Sequence, residues 1–334
     1  MKRALFLVLL PVIIISVTSC FKDDEKVVPH QPGSTKVDTI PLTVYYSNQV
    51  YFDLNSGASI STNLRKDWDL SFGSGKDGCC VRLNTSCFMF AAKISSESFG
   101  LPVDTTGAIW HFDNSNGNAD STAIGKWYTV VGKDTVSNGQ LIILDRGIDE
   151  LGNNRGLRQL VLDSLANDTY FFRIANLDGS NQQSYQVTRD PFSNHVLFSI
   201  GQVQENYAEP YTKSWDLLFS QYTTMLYTDQ GTPYPYLVTG VLLNPDLVEV
   251  AIDSSNKFDS ISFQTAKSLT YSNRQDFIGY NWKSYSFSNG VYTVRTNINY
   301  VIHDEEGFYF KFRFLGFYNN KGEKGYPSIE YQKL

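Results

Sequence analysis

Alternating apolar and polar positions are the clearest pattern along this chain. Between positions 308 and 314 every second residue is phenylalanine, with tyrosine, lysine and arginine between them. A repeat of two residues puts the phenylalanines on one face of a β-strand and the other side chains on the opposite face. The acidic turn 304–307 precedes this strand, and the apolar segment 298–302 precedes the turn. The pattern predicts a β-hairpin.

Short segments of the same kind recur along the chain, separated by turn residues such as Ser137-Asn138-Gly139 and Asp178-Gly179. Aromatic residues make up 14% of the sequence, mostly tyrosine and phenylalanine, which strands favour. The further segments are 127–131, 141–144, 157–162, 170–175, 314–318 and 326–331. We predict an all-β fold of antiparallel strands with few short helices.

The chain also repeats itself once. Trp68-Asp69-Leu70 and Trp215-Asp216-Leu217 lie 147 positions apart, and each is followed two residues later by phenylalanine. The strand-like segments before them, 50–54 and 196–200, are offset by 146. An apolar segment follows each copy, at 88–92 and at 236–243. The repeat predicts two related antiparallel β modules, an N-terminal one at 42–185 and a C-terminal one at 186–334.

The N-terminus has the pattern of a lipoprotein signal. Lys2 and Arg3 precede an apolar run at 4–17, and small residues lead to Cys20. The run is shorter than the roughly 20 residues of a membrane-spanning helix. We predict a signal peptide at 1–19, acylation of Cys20 with palmitate, and a flexible tether at 20–41. A plain secretory signal with a chance cysteine and a short transmembrane anchor are the alternatives.

An acidic cluster at 21–25 follows Cys20. It resembles the surface-export signal of Bacteroidetes lipoproteins. The resemblance implies an outer-membrane protein that is anchored in the lipid bilayer through Cys20 and faces the cell exterior. The alternative is the solvated start of a linker.

Charge and motifs limit the function further. Without the signal peptide the chain has 26 basic and 34 acidic residues, a net charge of about −8. No basic patch stands out, so we expect no binding to nucleic acid. The sequence lacks the motifs of phosphate-binding loops, nucleophile elbows and zinc-protease helices. We therefore predict no catalytic residues and no enzyme.

Three cysteines follow Cys20, namely Cys79, Cys80 and Cys87. Outside the cytoplasm one disulfide is expected. Neighbouring residues of an extended segment point to opposite faces, so only one of Cys79 and Cys80 faces Cys87 across the intervening turn. We favour Cys80–Cys87 over Cys79–Cys87. The third cysteine then stays a thiol or pairs between chains.

Several motifs of the C-terminal module occur together in a recognisable order. They are the strand 196–200, Trp215-Asp216-Leu217, the glycine-containing strand 236–240, the hairpin 300–314 and the ending 321–326. In this order they resemble the HmuY family, haem-binding surface lipoproteins of Bacteroidetes. The N-terminal module matches only in its opening part. The resemblance implies an all-β fold, a haem held between two axial side chains (usually His and sometimes Met) and an outer-membrane transporter as a partner.

The axial ligands of such a haem are not identifiable in this sequence. In the family one axial His follows a tryptophan-led strand, and the corresponding stretch here, 282–290, contains neither His nor Met. The region 241–279, where the other ligand would be sought, contains none either. Haem iron also accepts Tyr or Met, so Met225 and Tyr285 are the candidate ligand-binding residues. The predicted roles of His111, His195 and His303 are structural, with His303 paired to Asp304 or Glu305.

Two other functions fit the same pattern. A carbohydrate-binding surface lipoprotein would stack sugar rings on aromatic side chains such as Tyr234, Tyr236 and Trp282. A structural or adhesin-like module would use the two repeats to bind other envelope proteins. We rank haem binding first, carbohydrate binding second and the interaction module third.

Overall fold

Antiparallel β-strands form nearly all of the regular structure. The computed structural model describes residues 32–75, 78–94, 98–132, 134–202, 204–206, 208–245 and 247–334. The strands of the first half of the chain are β1 (Lys36–Thr39), β2 (Asn48–Asp53), β3 (Ala58–Leu64), β4 (Leu70–Gly73), β5 (Val81–Leu83), β6 (Phe90–Ile94), β7 (Tyr128–Val131), β8 (Asp134–Ser137), β9 (Leu141–Asp145), β10 (Leu157–Ala166), β11 (Thr169–Asn176) and β12 (Gln183–Thr188). Those of the second half are β13 (His195–Ser199), β14 (Gln204–Asn206), β15 (Leu217–Tyr227), β16 (Pro233–Leu243), β17 (Glu249–Asp253), β18 (Lys283–Ser286), β19 (Val291–Val294), β20 (Asn299–His303), β21 (Tyr309–Tyr318) and β22 (Lys324–Lys333). The all-β prediction is confirmed.

Helical structure in the described residues consists of one short α-helix and four 3-10 turns. The helix α1 (Phe263–Lys267) begins after Ser262, whose hydroxyl accepts a hydrogen bond from the N–H of Thr265 at 3.2 Å. Such a cap satisfies one of the amide groups that the first turn of a helix leaves without a partner. No helix in this part of the chain is long and apolar enough to cross a membrane.

Two β-sandwiches enclose the two main cores. In the first, the sheet β14-β13-β4-β5 packs against the seven-stranded sheet that β6 to β12 form. In the second, the sheet β16-β15-β2-β3 packs against the sheet β1-β22-β21-β20-β17. Phe310, Phe312 and Phe314 of β21 are buried in the second core, on the face that the alternation predicts. The strands β18 and β19 form a separate hairpin.

The two copies of the repeat exchange strands. β2 precedes the first Trp-Asp motif in the chain, yet it pairs with β15, which follows the second motif, with Phe52 opposite Leu217. Conversely, β13 precedes the second motif and pairs with β4, with Phe198 opposite Leu70. The two pairings are equivalent under the sequence offsets of 146 and 147. Each sandwich is therefore completed by strands from the other half of the chain.

The buried aspartate of each Trp-Asp motif holds the exchanged strand at its end. Asp216 Oδ2 accepts a hydrogen bond from the N–H of Leu54 at 2.8 Å, and the N–H of Asp216 donates to the carbonyl of Phe52. Asp69 makes the equivalent bonds with Ile200, at 2.8 Å, and with Phe198. Backbone groups that folding removes from water need such partners. The hydrogen-bond geometry that the two motifs share thus serves to hold the exchanged strands in place.

The apolar segment 88–92 is not the counterpart of β16 that the repeat predicts. The segment equivalent to the end of β16 is β5 and not 88–92, because β5 pairs with β4 in the same register as β16 with β15. Asn84 follows β5 and donates to the carbonyl of Trp68 at 2.8 Å. Asn244 follows β16 and donates to the carbonyl of Trp215 at 2.6 Å. A strand of three residues is too short to show the apolar pattern on which the alignment relied.

The predicted end of the tether and the predicted border between the modules both fall within observed strands. Residues 1–31 lie outside the described residues, and with them the predicted signal peptide, Cys20 and the first part of the tether. Residues 36–39 form β1, which pairs with β22, so the predicted tether 20–41 extends too far. This pairing uses backbone groups and needs few apolar side chains, which is why composition suggested a linker. Residue 185, the predicted border between modules, lies within β12.

Candidate functional site

A group of exposed aromatic rings lies where two hairpins meet. The rings belong to Tyr234 and Tyr236 of β16 and to Tyr285 and Phe287 in the β18–β19 hairpin; we call them the aromatic surface. Phe287 is 93% exposed, and the three tyrosines are between 38% and 53% exposed. Exposed apolar side chains that cluster in this way are typical of binding surfaces.

The β15–β16 ribbon carries one half of the aromatic surface. β2 pairs with β15 only up to Phe219, so the remainder of the ribbon is two-stranded. Tyr234 and Tyr236 lie on the same face, with ring centroids 6.3 Å apart. Pro233 and Pro235 are tolerated here because β16 is an edge strand. The ribbon therefore presents its rings away from the second core.

The β18–β19 hairpin carries the other half, and a buried tryptophan anchors it. Trp282 is 1% exposed and stacks on Phe314, with ring centroids 3.8 Å apart and an angle of 7° between the rings. Tyr285 pairs with Tyr292 across the hairpin, with ring centroids 4.8 Å apart, and also contacts Phe287. Trp282 was expected to be an exposed carbohydrate-stacking residue. That expectation is wrong, because the second core takes up the indole ring.

Lys283 is a buried charge behind the aromatic surface. Its ammonium donates to the carbonyl of Thr239 in β16, which ties the hairpin to the ribbon. The nitrogen lies 4.3 Å from the ring centroid of Trp282 and 4.9 Å from that of Phe317. Burial lowers the pKa of Lys283 to about 7, because the charged form loses its hydration. The charge behind the aromatic surface therefore changes near neutral pH.

Tyr292 connects the two halves of the aromatic surface. Burial, together with the neighbouring hydroxyls of Tyr236 and Tyr285, raises the pKa of Tyr292. Burial and Tyr292 likewise raise the pKa of Tyr46. A raised pKa disfavours the phenolate form, which is the form that coordinates iron. Neither Tyr46 nor Tyr292 is suited to that role.

The structure separates the two candidate ligands that the sequence suggested. Tyr285 is part of the aromatic surface and 44% exposed. Met225 is 39% exposed and lies opposite Pro235 in the ribbon. Side chains alternate between the faces of a strand, so Met225 and Tyr236 are on opposite faces of the ribbon. Met225 and Tyr285 are both exposed, but only Tyr285 lies among the exposed rings.

None of the three histidines in the described ranges lies on the aromatic surface. His111 forms an isolated bridge with Ala91. Nδ1 of His195 lies 3.1 Å from Glu209 Oε2, away from both hairpins. Nδ1 of His303 lies 2.9 Å from Glu249 Oε1, so the predicted pairing of His303 with Asp304 or Glu305 is wrong. The physical reason is the register of β17 and β20, which places Glu249 directly opposite His303.

The predicted disulfide is not formed in the structure. Cys87 ends the 3-10 turn Thr85–Cys87, is fully buried, and its thiol donates to the carbonyl of Arg65 at 3.3 Å. Cys79 and Cys80 lie before β5, and all three cysteines after residue 31 carry thiols. The side chain of Asn84 accepts the N–H of Ser86 and shapes the turn that directs Cys87 into the first core. The pairing Cys80–Cys87 therefore stays a prediction.

The family model described as HmuY protein matches residues 45–331. This is most of the 334-residue chain and includes both repeats. The chain belongs to the HmuY family. The resemblance seen in the sequence was strongest in the C-terminal module, whereas the HmuY match extends through both modules. No curated protein sequence matches the chain.

Solved structures similar to this HmuY-family chain share little sequence with it. Apo PinO from Porphyromonas gingivitis has 8% identity and a TM-score of 0.29, over 90% of this chain and 97% of that chain. The apo HmuY analog TFO from Tannerella forsythia has 11% identity and a TM-score of 0.26, over 91% of this chain and 98% of that chain. With TM-scores this low, neither structure assigns a role to a residue of the HmuY-family chain.

Some side chains of this HmuY-family chain could coordinate haem iron, and others could not. Two-histidine ligation does not fit, because the described histidines lie away from the aromatic surface. The described residues also contain no group of three or more His, Cys, Asp or Glu side chains that could hold a metal ion. Tyr285 offers a phenol and Met225 a thioether, and both types coordinate haem iron. The exposed rings offer flat faces for stacking.

Proposed function

We propose that this protein is a surface-exposed lipoprotein of the HmuY type that binds haem or a related flat ligand for uptake. The observation that carries the proposal is the aromatic surface, where four exposed rings lie on two hairpins held together by Lys283 and Thr239. Membership of the HmuY family supports the same ligand class. A porphyrin has the shape and the apolar faces that such rings contact.

Tyr285 is the residue we assign to the iron in this proposal. It is exposed, it belongs to the β18–β19 hairpin, and it follows Trp282 in the stretch where the family resemblance places an axial ligand. Met225 is the second candidate, on the other face of the ribbon. When bound, the haem supplies the iron, and the chain supplies one ligand and the stacking surface.

The cellular setting is a further part of the proposal. The N-terminal sequence supports a signal peptide, acylation of Cys20 and attachment to the outer membrane, with the acidic cluster 21–25 supporting outward display. An outer-membrane transporter would then be the partner that receives the ligand. A carbohydrate ligand would use the same exposed rings. However, Trp282, which was also expected to stack on a sugar ring, is buried. We therefore favour haem.

A haemin titration of the purified full chain tests the proposal. The wild-type chain is expected to develop a Soret band that persists after desalting. Tyr285→Phe keeps the ring but removes the hydroxyl, so the Soret maximum should shift and binding should weaken by about tenfold or more, the effect of losing a strong polar contact. Met225→Leu tests the second candidate in the same way.

Tyr211→Phe is the matched control, because Tyr211 is also exposed (64%) but contacts Phe192, outside the aromatic surface. It should leave the titration unchanged. A wild-type chain that stays colourless after desalting would contradict haem binding while leaving family membership untouched. Equal spectra of the wild type and of both ligand variants would contradict the assigned ligands.

A further inference from the structure

Cys79 and Cys80 are adjacent, partly exposed thiols directly before β5. The third described cysteine, Cys87, is fully buried, and its thiol donates to the carbonyl of Arg65 at 3.3 Å. Burial raises the pKa of Cys87, so the reactive thiolate form of Cys87 is disfavoured. Accessible thiol chemistry in the described part of the chain therefore belongs to Cys79 and Cys80.

The strand β5 separates Cys80 from Cys87. The carbonyl of Cys80 accepts the N–H of Gly73 at 2.9 Å before β5, and the N–H of Cys87 donates to the carbonyl of Asn84 at 3.2 Å past its other end. A strand advances about 3.3 Å per residue, so Cys80 and Asn84 lie about 13 Å apart. Cysteines whose Cα atoms are more than about 7 Å apart form no disulfide without movement of the backbone. Cys79 is therefore the nearer partner of Cys80.

Hydrogen bonds from three other elements hold the backbone that carries the two thiols. The indole N–H of Trp127, directly before β7, donates to the carbonyl of Cys79 at 2.8 Å. The hydroxyl of Tyr170 in β11 donates to the carbonyl of Gly78 at 3.1 Å, and Arg189 after β12 donates to the same carbonyl. The position of the thiols is therefore set by the first sandwich and not by the short turn alone.

Both thiols lie in a polar setting with a positive charge beside it. Nη2 of Arg189 lies 4.0 Å from Sγ of Cys79. Burial, followed by the two thiols, raises the pKa of Tyr128, whose hydroxyl also forms a hydrogen bond with Cys79. Reactive cysteines are typical of such partly exposed, electropositive surroundings. The setting of Cys79 and Cys80 is thus the opposite of the apolar setting of Cys87.

A disulfide between adjacent cysteines is strained. Consecutive Cα atoms are about 3.8 Å apart, whereas the Cα atoms of most disulfides are at least about 4.4 Å apart. A disulfide closed over the shorter distance is reduced more easily than a structural one. A bond between Cys79 and Cys80 would therefore open and close in exchange with surrounding thiols, whereas an unstrained disulfide stays closed.

We propose that Cys79 and Cys80 form a thiol–disulfide exchange site whose substrate is a small-molecule disulfide. Cys79 loses its proton to water and attacks one sulfur of the substrate, so that a mixed disulfide forms, the substrate S–S bond breaks and one thiolate leaves. Cys80 then loses its proton to water, attacks the sulfur of Cys79 and displaces the second thiolate. Two protein thiols are oxidised to one disulfide, and one small disulfide is reduced to two thiols. The site is independent of haem binding.

Reaction of the folded full chain with dithiobis(nitrobenzoate), a small anionic disulfide with a coloured thiol product, tests this site. The chain carries Cys20→Ser, so that Cys20 does not contribute, and is first reduced and desalted. It should release two equivalents of the coloured thiol and retain no label, because Cys80 displaces the label from Cys79. Trypsin cuts after Lys76 and Arg82, so both partners leave in the peptide 77–82. The mass of this peptide should fall by about 2 Da, the two hydrogens that are lost when the disulfide forms.

Cys80→Ser should release one equivalent and keep the label on Cys79, because no second thiol displaces it. Cys87→Ser is the matched control and should react as the chain with Cys87 does. If Cys87→Ser fails to fold by near-UV circular dichroism, alkylation of the peptide 83–93 after the reaction shows whether Cys87 is still a thiol. The proposal is overturned if the folded chain releases no coloured thiol, if it retains two labels, if Cys87 reacts as fast as the other two cysteines, or if the new disulfide links Cys80 to Cys87.

Discussion

Asp69 and Asp216 take the same position in the two repeats, but their electrostatic surroundings differ. Asp69 forms ion pairs with Arg146 and Arg155, each at 2.9 Å. Asp216 is close to the carboxylates of Asp53 and Asp304 instead. Burial, opposed by the N–H of Leu54 and reinforced by these two carboxylates, raises the pKa of Asp216 to about 8. Identical backbone roles thus come with different charged neighbours, two arginines beside Asp69 and two carboxylates beside Asp216.

Replacing Asp216 by Asn should change how stability depends on pH. The folded pKa is above the ordinary value of 3.8, so the contribution of Asp216 to stability is full below about pH 4 and is lost as pH rises toward 8. Asp216→Asn keeps the acceptor for Leu54 and removes this loss. Its unfolding free energy should exceed that of the wild type increasingly from pH 5 to 8, by at most about 1.4 kcal/mol per pH unit.

Urea unfolding at several pH values measures this difference. Asp69→Asn is the matched control and should lose stability, by about 3–5 kcal/mol, because Arg146 and Arg155 keep buried charges without their partner. Parallel pH profiles for the wild type and Asp216→Asn would show that Asp216 is ionised in the folded chain and contradict the argument.

At the scale of elements, a close contact between Gly240 and Gly279 joins the β15–β16 ribbon to the segment that leads to the β18–β19 hairpin. Val241 and Gly279 form an isolated bridge with hydrogen bonds of 3.0 and 3.1 Å. A Cβ on Gly240 would overlap the backbone carbonyl of Gly279. Only glycine permits this close approach. The position of β18–β19 relative to β16 therefore depends on Gly240.

Gly240→Ala should separate the ribbon from this segment and destabilise the chain by about 1–3 kcal/mol, the usual effect of overpacking. Urea unfolding gives the free energy, and near-UV circular dichroism reports on Trp282 and the tyrosines beside it. Gly316→Ala is the matched strand control, since its Cβ would lie at an ordinary 3.8 Å from Ser328 Cβ. Equal losses in both variants would mean that the contact with Gly279 has no special role.

Local pattern predicted the strands well and their partners poorly. The phenylalanine alternation at 308–314 identifies β21 and its buried face, because both depend on neighbouring residues only. The pairing of β2 with β15 does not follow from sequence, since β2 would show the same alternation beside either copy of the repeat. Tyr285 became a candidate through its place after Trp282. Neither Lys283 nor the His195–Glu209 pair was recognisable in this way, because their contacts arise from residues distant in sequence.

At the scale of the whole molecule, strand exchange joins the two repeats into one compact unit, Pro32–Leu334. The first core contains Val196 and Phe198 of β13, and the second contains Val50 and Phe52 of β2. Neither half of the chain can complete its core alone, because each lacks a strand that the other half supplies. The duplication therefore produced two interdependent sandwiches.

Cutting the chain between Asp190 and Pro191, in the segment between β12 and β13, should test this interdependence. Each fragment alone should lack cooperative thermal unfolding, since the first lacks β13 and the second lacks β1 to β3. Mixed in equal amounts they should associate and regain the near-UV circular dichroism of the intact chain, because the exchanged strands bury apolar surface only together. A cut after residue 185 interrupts β12 and should restore less signal. If either fragment of the first pair unfolds cooperatively alone, its half forms a complete core, and strand exchange is not required for folding.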